Sequence, residues 1–386
     1  VRGVPRGPGP PVVGGALPLH GLDPAPPVGE AGSRRRSGWA MIVIVNALAV
    51  LLTVLATIGV PVAHAAPAVP GWCSPSVMAL GYSDALDKRT YGGETVAGLS
   101  ALAHDPRAAR YLALADRTPT TALIWPLAGL DELPVAQPRV AGPPIRLHGR
   151  DGRAIPGKAD TEGLAVLADG RLAVSFERGP AISVFDRDGR WRDDLAIPSR
   201  FRVTPLGQAV RNGTLEGLTA TPAGDRLVAA MEKPLTGDDP GTLRMLDYRR
   251  TRAGRFVLAR ELVYLPAPGM RVAEIAAYGP DRLVVLEAAY SRARGNSVVL
   301  TTANIGPPAG RDWVRRLNRR VLADLAQCPT LGAPTRETQR NPLLDNYEGM
   351  AVSAAYADGH TIHLVVDDNH SPRQTTRLLT LWARLP

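Results

Sequence analysis

Acidic residues recur in this chain in pairs, at the ends of apolar segments. The stretch from Thr161 to Arg178 reads TEGLAVLADGRLAVSFER, with Glu162 near its start and Glu177 near its end. Three later stretches repeat it: LEGLTATPAGDRLVAAMEK from Leu215, AEIAAYGPDRLVVLEA from Ala273, and YEGMAVSAAYADGHTIHLVVDDN from Tyr347. They carry Glu216 with Glu232, Glu274 with Glu287, and Glu348 with Asp367 and Asp368. A weaker copy from Val96 has Ala97 in place of the first Glu and Asp116 as its partner. In every copy apolar residues alternate on both sides of a Gly, Asp or Pro turn, the pattern of a β-hairpin. A turn at Asp169-Gly170 sets Glu162 opposite Glu177, and the same count opposes the other pairs. Opposed residues hold their Cβ atoms about 4.5–5.5 Å apart, where like charges repel. Four such pairs at equivalent places point to a bound cation. The competing reading is a set of solvated strand-end acids.

Oxygen-only donors suit a hard cation such as calcium, which takes six to eight of them. Such an ion polarises a phosphoryl or carbonyl oxygen and activates a water. Asn212, Asn346 and Asn369 stand beside three of the acid positions and offer neutral oxygens. The candidate metal ligands are therefore Glu162, Glu177, Asn212, Glu216, Glu232, Glu274, Glu287, Glu348, Asp367 and Asp368. Glu216, Glu348 and His370 are the candidate catalytic groups, and His370 follows the last acid cluster as a possible acid or base. His363 alternates with apolar residues and reads as packed core. No G-x-S-x-G elbow, P-loop, H-E-x-x-H helix or dinucleotide fingerprint competes.

The elements that must position these groups are many short strands. The repeated Glu or its equivalent falls at 97, 162, 216, 274 and 348, steps of 65, 54, 58 and 74 residues. Periods of this size with several strands each predict an all-β chain, a β-propeller. Dividing about 320 residues by a step near 54 gives roughly six blades, within a range of five to seven. A sixth blade needs Pro119–Leu147 or both chain ends. Asp312–Gln327 places Leu317, Val321, Leu322 and Leu325 on one helical face, so a short helical insertion is expected there. Blade geometry gathers the innermost strands around a channel, with the acids at one mouth.

The 386 residues carry a net charge of +9, with only 5% aromatic residues. The arginines are scattered and no nucleic-acid-binding signature is present, so a nucleic-acid partner is not expected. Residues 1–40 are rich in Pro and Gly without periodicity and read as a disordered or untranslated leader. Residues 41–65 are an apolar run ending in Ala63-His64-Ala65, a signal peptide cleaved before Ala66 or an uncleaved anchor. Residues 66–386 form the exported domain, secreted or extracytoplasmic, and membrane contact is expected only through an uncleaved N-terminal segment. Cys73 and Cys328 both follow the cleavage site and predict one disulfide. A monomer is expected.

Taken in order, Glu162-Gly163-Leu164, Asn212, Glu216-Gly217-Leu218, Glu287, Asn346-Tyr347-Glu348-Gly349, Asp367-Asp368-Asn369 and Gln374-Thr375 resemble the phytase-like esterase family of exported bacterial propellers. The resemblance spans Val96 to Leu381. It implies a β-propeller, export, and hydrolysis of esters, phosphate esters among them, with calcium as the expected cofactor. Two departures stand out. The family often has Arg directly after the third-unit Glu, where this chain has Ala288. Its closing motif often has two Asn and an aromatic residue, where this chain has Asp368-Asn369-His370. Three readings follow: a calcium-dependent ester hydrolase, a lactonase-type propeller with a central metal, and a non-catalytic extracytoplasmic binding propeller.

Overall fold

The computed structural model describes residues 70–307, 313–356 and 358–386. The leader and the signal or anchor segment lie outside the described residues. Five sheets of four or five strands are arranged in chain order. Their innermost strands are Leu99–Asp105, Thr161–Val166, Leu215–Ala220, Arg271–Ala277 and Tyr347–Tyr356, here blades 1 to 5. Each innermost strand packs on the next, and the fifth packs on the first, closing a ring around a channel. The chain is a five-bladed all-β propeller.

Five and not six blades follow from where the less regular segments go. Leu123–Ala128, Arg139–Val140 and Ile145–Arg146, from the Pro119–Leu147 stretch, are the outer strands of blade 1. The two chain ends share blade 5. Leu378–Ala383 pairs with Val77–Ser83, which pairs with Gly71–Ser74 at the rim. The N-terminal strands thus close the ring on the C-terminal ones. Cys73, on that outermost strand, forms the predicted disulfide with Cys328, just beyond the outermost strand of blade 4.

Among the described residues of 312–327 the expected helix is not present. Val314–Arg316 adds to blade 3 as a parallel fifth strand, and Asn318–Asp324 is the outer strand of blade 4. Only Leu325–Gln327 forms a single 3₁₀ turn. The apolar spacing had mimicked a helix because Leu317, Leu322 and Leu325 are buried from the link between two strands, from the second strand and from a turn.

Five apolar clusters hold the ring, one in each seam between blades. Each innermost strand feeds both of its seams. Leu164 packs toward blade 1 while Ala165 and Leu167 pack toward blade 3. This accounts for the near-continuous apolar runs after each Glu-Gly. His363 is fully buried in the seam of blades 5 and 1, beside Thr380, and burial lowers its pKa.

Candidate functional site

The repeated Glu-Gly pairs form one device. In blades 2, 3 and 5 the hairpin register slips across the Glu: between Thr161 and Leu164, Leu215 and Leu218, and Tyr347 and Gly349. The extra residue is a β-bulge, which bends the strand and re-aims the side chain. The Gly after it allows close approach of the neighbouring strand. A Cβ on Gly163 would lie 2.5 Å from the Glu216 carbonyl oxygen, and one on Gly217 would lie 2.8 Å from the Ile275 nitrogen. The acids therefore enter a narrow mouth at the start of each innermost strand.

The bulge also alters the expected pairing. The turn of blade 2 runs from Leu167 to Arg171 with Gly170 at φ 87°, one residue longer than a two-residue loop. Glu177 therefore pairs with Asp160 and not with Glu162, and Glu232 pairs with Thr214. Asp367 likewise pairs with Asn346. Glu162, Glu216 and Glu348 are the bulged residues and remain at the same end as these partners.

Blade 4 is out of step with the alignment by its glutamates. Val272 pairs with Glu287, and Glu274 pairs with Leu286. Ala273 is therefore the bulged residue, and Ala288 is the counterpart of Glu177 and Glu232. Glu274 occupies the place of Gly163 and Gly217. Its carboxylate accepts from Leu218 N and Ile275 N, both at 2.9 Å. Glu287 lies away from the mouth, bound to Arg319 at 2.6 and 2.8 Å and to the Tyr264 hydroxyl. A shift of one residue along a strand exchanges its faces; Glu287 stays out of the cluster, and Glu274, held by backbone amides, touches it only through the charge of Glu348.

At the mouth, Asp116, Asp160 and Glu162 have carboxylate oxygens within 4.8 Å of one another, as do Glu177, Glu216 and Glu232. Glu348 lies close enough to raise the pKa of Asp116 in one group and of Glu216 in the other, and Asp367 lies close to Glu348 and Asp116. All of these are buried except the half-buried Glu232. Glu162 is 8% exposed and has no hydrogen bond or ion pair among the described residues. Burial raises its pKa well above the usual carboxylate value, and the charges of Glu216, Glu348 and Asp116 add to the effect. Burial raises Asp116 to about 7. Asp367 is likewise raised by burial and by Glu348.

Asp368 differs from its neighbour. Its carboxylate accepts from Gly98 N at 2.9 Å, His370 N at 3.0 Å and Thr376 Oγ1 at 2.5 Å, and it pairs with Lys88. These bonds fix the turn in which Asn369 and His370 have φ of 48° and 51°. Left-handed backbone is uncommon for such residues, and the Asp367 and Asp368 carboxylates hold it in place. His370 thereby reaches the Arg117 carbonyl through Nε2, beside Asp116. The Asn212 side chain is exposed and stands outside the cluster, and its carbonyl accepts from Lys233. Asn346 Oδ1 accepts from Arg271 at 3.3 Å.

Three contributors were not among the expected ligands. Asp116 comes from blade 1. Asp160, at φ 61°, pairs with Arg117 and Arg178. Arg271 begins the innermost strand of blade 4 and reaches Glu216 at 2.9 Å, Glu348 at 2.6 Å and Glu232 at 3.5 Å. Asp160, Thr214, Arg271 and Asn346 share one position, two residues before the bulge. Aligning the repeats by bulge and not by Glu would have exposed them. Arg271 faces Ala288 across the strand pair, so it restores a cation where the family often has Arg.

Nine carboxylates meet here: Asp116, Asp160, Glu162, Glu177, Glu216, Glu232, Glu348, Asp367 and Asp368. Five cations pair with them: Lys88, Arg117, Arg178, Lys233 and Arg271. A formal excess of four negative charges remains. A cavity of about 730 Å³ opens at the other end of the channel, lined by Leu102, Leu164, Leu218, Ile275 and Met350 among others. Among the described residues no carboxylate lines it, so the acidic cluster belongs to the mouth.

The sequence profile of the family described as phytase-like, esterase-like activity of phytase, matches residues 94–370. This chain belongs to that family. No functionally curated protein matches it. Among solved structures it is similar to a gluconolactonase, XC5397, from Xanthomonas campestris, with 16% identity, 82% of this chain and 98% of that one covered, and a TM-score of 0.35. It is also similar to virginiamycin B lyase from Staphylococcus aureus, with 11% identity, coverages of 76% and 68%, and a TM-score of 0.34. Among the described residues of this family member, no helix is long and apolar enough to cross a membrane.

Proposed function

We propose that this phytase-like propeller is an exported hydrolase of esters, phosphate esters included, that works with a divalent cation at its acidic mouth. The observation that carries this reading is Glu162, a buried carboxylate that no hydrogen bond or ion pair holds among the described residues, set among other carboxylates. Burying a charge without compensation is costly, and a bound cation supplies what the five side-chain cations do not. The donor set is all oxygen, without His or Cys among the two groups, which suits calcium or another hard cation. Two separate groups would hold such an ion: Asp116 with Asp160 and Glu162, and Glu177 with Glu216 and Glu232. When bound, the ion would neutralise these acids, polarise the ester oxygen and favour a nucleophilic water.

The chain's own residues frame that chemistry. Lys88, Arg117, Arg178 and Lys233 are partly exposed above the acids. They favour approach of an anionic ester and steer it to the mouth. Arg271 fixes the rotamers of Glu216 and Glu348. His370 donates through Nε2 to the Arg117 carbonyl, which leaves Nδ1 as the free ring nitrogen. Export agrees with the Cys73–Cys328 disulfide, which suits an oxidising compartment.

The test is turnover of p-nitrophenyl phosphate, p-nitrophenyl acetate and a simple lactone, each in EDTA and in calcium. Calcium-dependent turnover of either ester, reduced at least tenfold by Glu162→Gln, is expected. Turnover of the lactone alone would favour the lactonase reading. No turnover despite cation binding would favour a binding propeller.

A further inference from the structure

Blade 4 departs from the acid pattern in a consistent way. Blades 2, 3 and 5 place a carboxylate at the bulge and another at the end of the second strand. Blade 4 has Ala273 and Ala288 at those places. The space is filled by Arg271, two residues before the bulge, whose guanidinium reaches three carboxylates of two other blades. Nη1 goes to Glu216, Nη2 to Glu348 and Asn346, and Nε faces Glu232. Arginine does not deprotonate in proteins, so this charge is permanent.

The two carboxylate groups are therefore unlike. Glu216 and Glu232 already share a cation supplied by the chain. In the other group the chain's cations lie at the edge, Arg117 pairing with Asp160 and Asp116 and Arg178 with Asp160, with side chains 45% and 61% exposed, and neither forms an ion pair with Glu162. A fixed positive charge beside Glu216 and Glu232 opposes entry of a second one, with like-charge repulsion strengthened by burial.

We propose that Arg271 is a resident counter-ion that stands in for one divalent cation at the Glu177, Glu216 and Glu232 group. Exchangeable cation binding is thereby confined to the Asp116, Asp160 and Glu162 group. The inference rests on the reading that the mouth binds a divalent cation. It sets the number of ions: this chain binds one fewer than its carboxylates would otherwise hold.

The test is equilibrium dialysis of the full chain against calcium chloride after EDTA treatment, for the wild type, Arg271→Gln and Arg271→Lys. Arg271→Gln should bind one more calcium per chain than the wild type, and Arg271→Lys the same number as the wild type. An unchanged or lower number in folded Arg271→Gln overturns the proposal. Should Arg271→Gln unfold in EDTA, calcium should restore its folded circular dichroism spectrum, and failure to do so also overturns it. A wild type that binds no calcium, with one ion bound by Arg271→Gln, would reject the cation-dependent function yet sustain the counter-ion role. One ion bound by both proteins would do the reverse.

Discussion

Replacing Glu162 by Gln should stabilise the cation-free protein and weaken its response to calcium. The side chain is 8% exposed and unpartnered, and burial with the charges of Glu216, Glu348 and Asp116 holds its pKa well above the ordinary value. Gln keeps the shape and removes the charge, and no hydrogen bond or ion pair to another described residue is lost. An unsatisfied buried polar group costs about 1–3 kcal/mol, and more when charged, so the gain in EDTA should be at least about 1 kcal/mol. A domain of this size shifts its Tm by about 2 °C per kcal/mol. Calcium at 100 times its Kd stabilises the wild type by about 2.7 kcal/mol, a rise of about 5 °C. Differential scanning fluorimetry of both proteins, in EDTA and in calcium, reads the two effects. Glu162→Gln should melt about 2 °C or more above the wild type in EDTA and lose most of the calcium-induced rise. Equal destabilisation with and without calcium would mean an ordinary packing role and would refute the reasoning.

Calcium stabilisation should depend on pH. Asp116 has a folded pKa of about 7 against an ordinary 3.8, so in cation-free protein its contribution to stability is present below about pH 4 and lost as pH rises through 7. Protons therefore compete with calcium below 7, and the calcium-induced Tm rise should be small at pH 5 and full above pH 7; a rise independent of pH would count against it. His363, whose pKa is lowered by burial, sits in a seam and cancels in the comparison with and without calcium. Thiol titration of the unfolded, unreduced protein should find none, and Cys73→Ser with Cys328→Ser should cost about 5 kcal/mol in the chain-entropy model, read by urea denaturation. Gly217→Ala should destabilise by about 1–3 kcal/mol, because its Cβ would lie 2.8 Å from the Ile275 nitrogen and 2.9 Å from Glu274 Oε1; a neutral substitution would show that the inner strands can separate.

Periodicity in the sequence was enough to determine the class of fold and the end of the blades at which the acids lie. Alternation and turn residues are local properties, and a strand direction follows from a hairpin whatever its exact register. The disulfide was legible because only two cysteines exist. Blade number was not, because it depends on which irregular segments pair: Ile145–Arg146 with blade 1, and Gly71–Ser83 with the last blade. Membership of the cluster was legible for Glu162, Glu216 and Glu348, each marked by the Gly that follows. It was hidden for Glu274 and Glu287, since a bulge moves the register by one residue and leaves no mark in composition. Asp160 and Arg271 escaped for the same reason. Only the closed ring brings Arg271 of blade 4 against Glu216 of blade 3 and Glu348 of blade 5. The balance of charge in the mouth is a sum over blades, and no single repeat contains it.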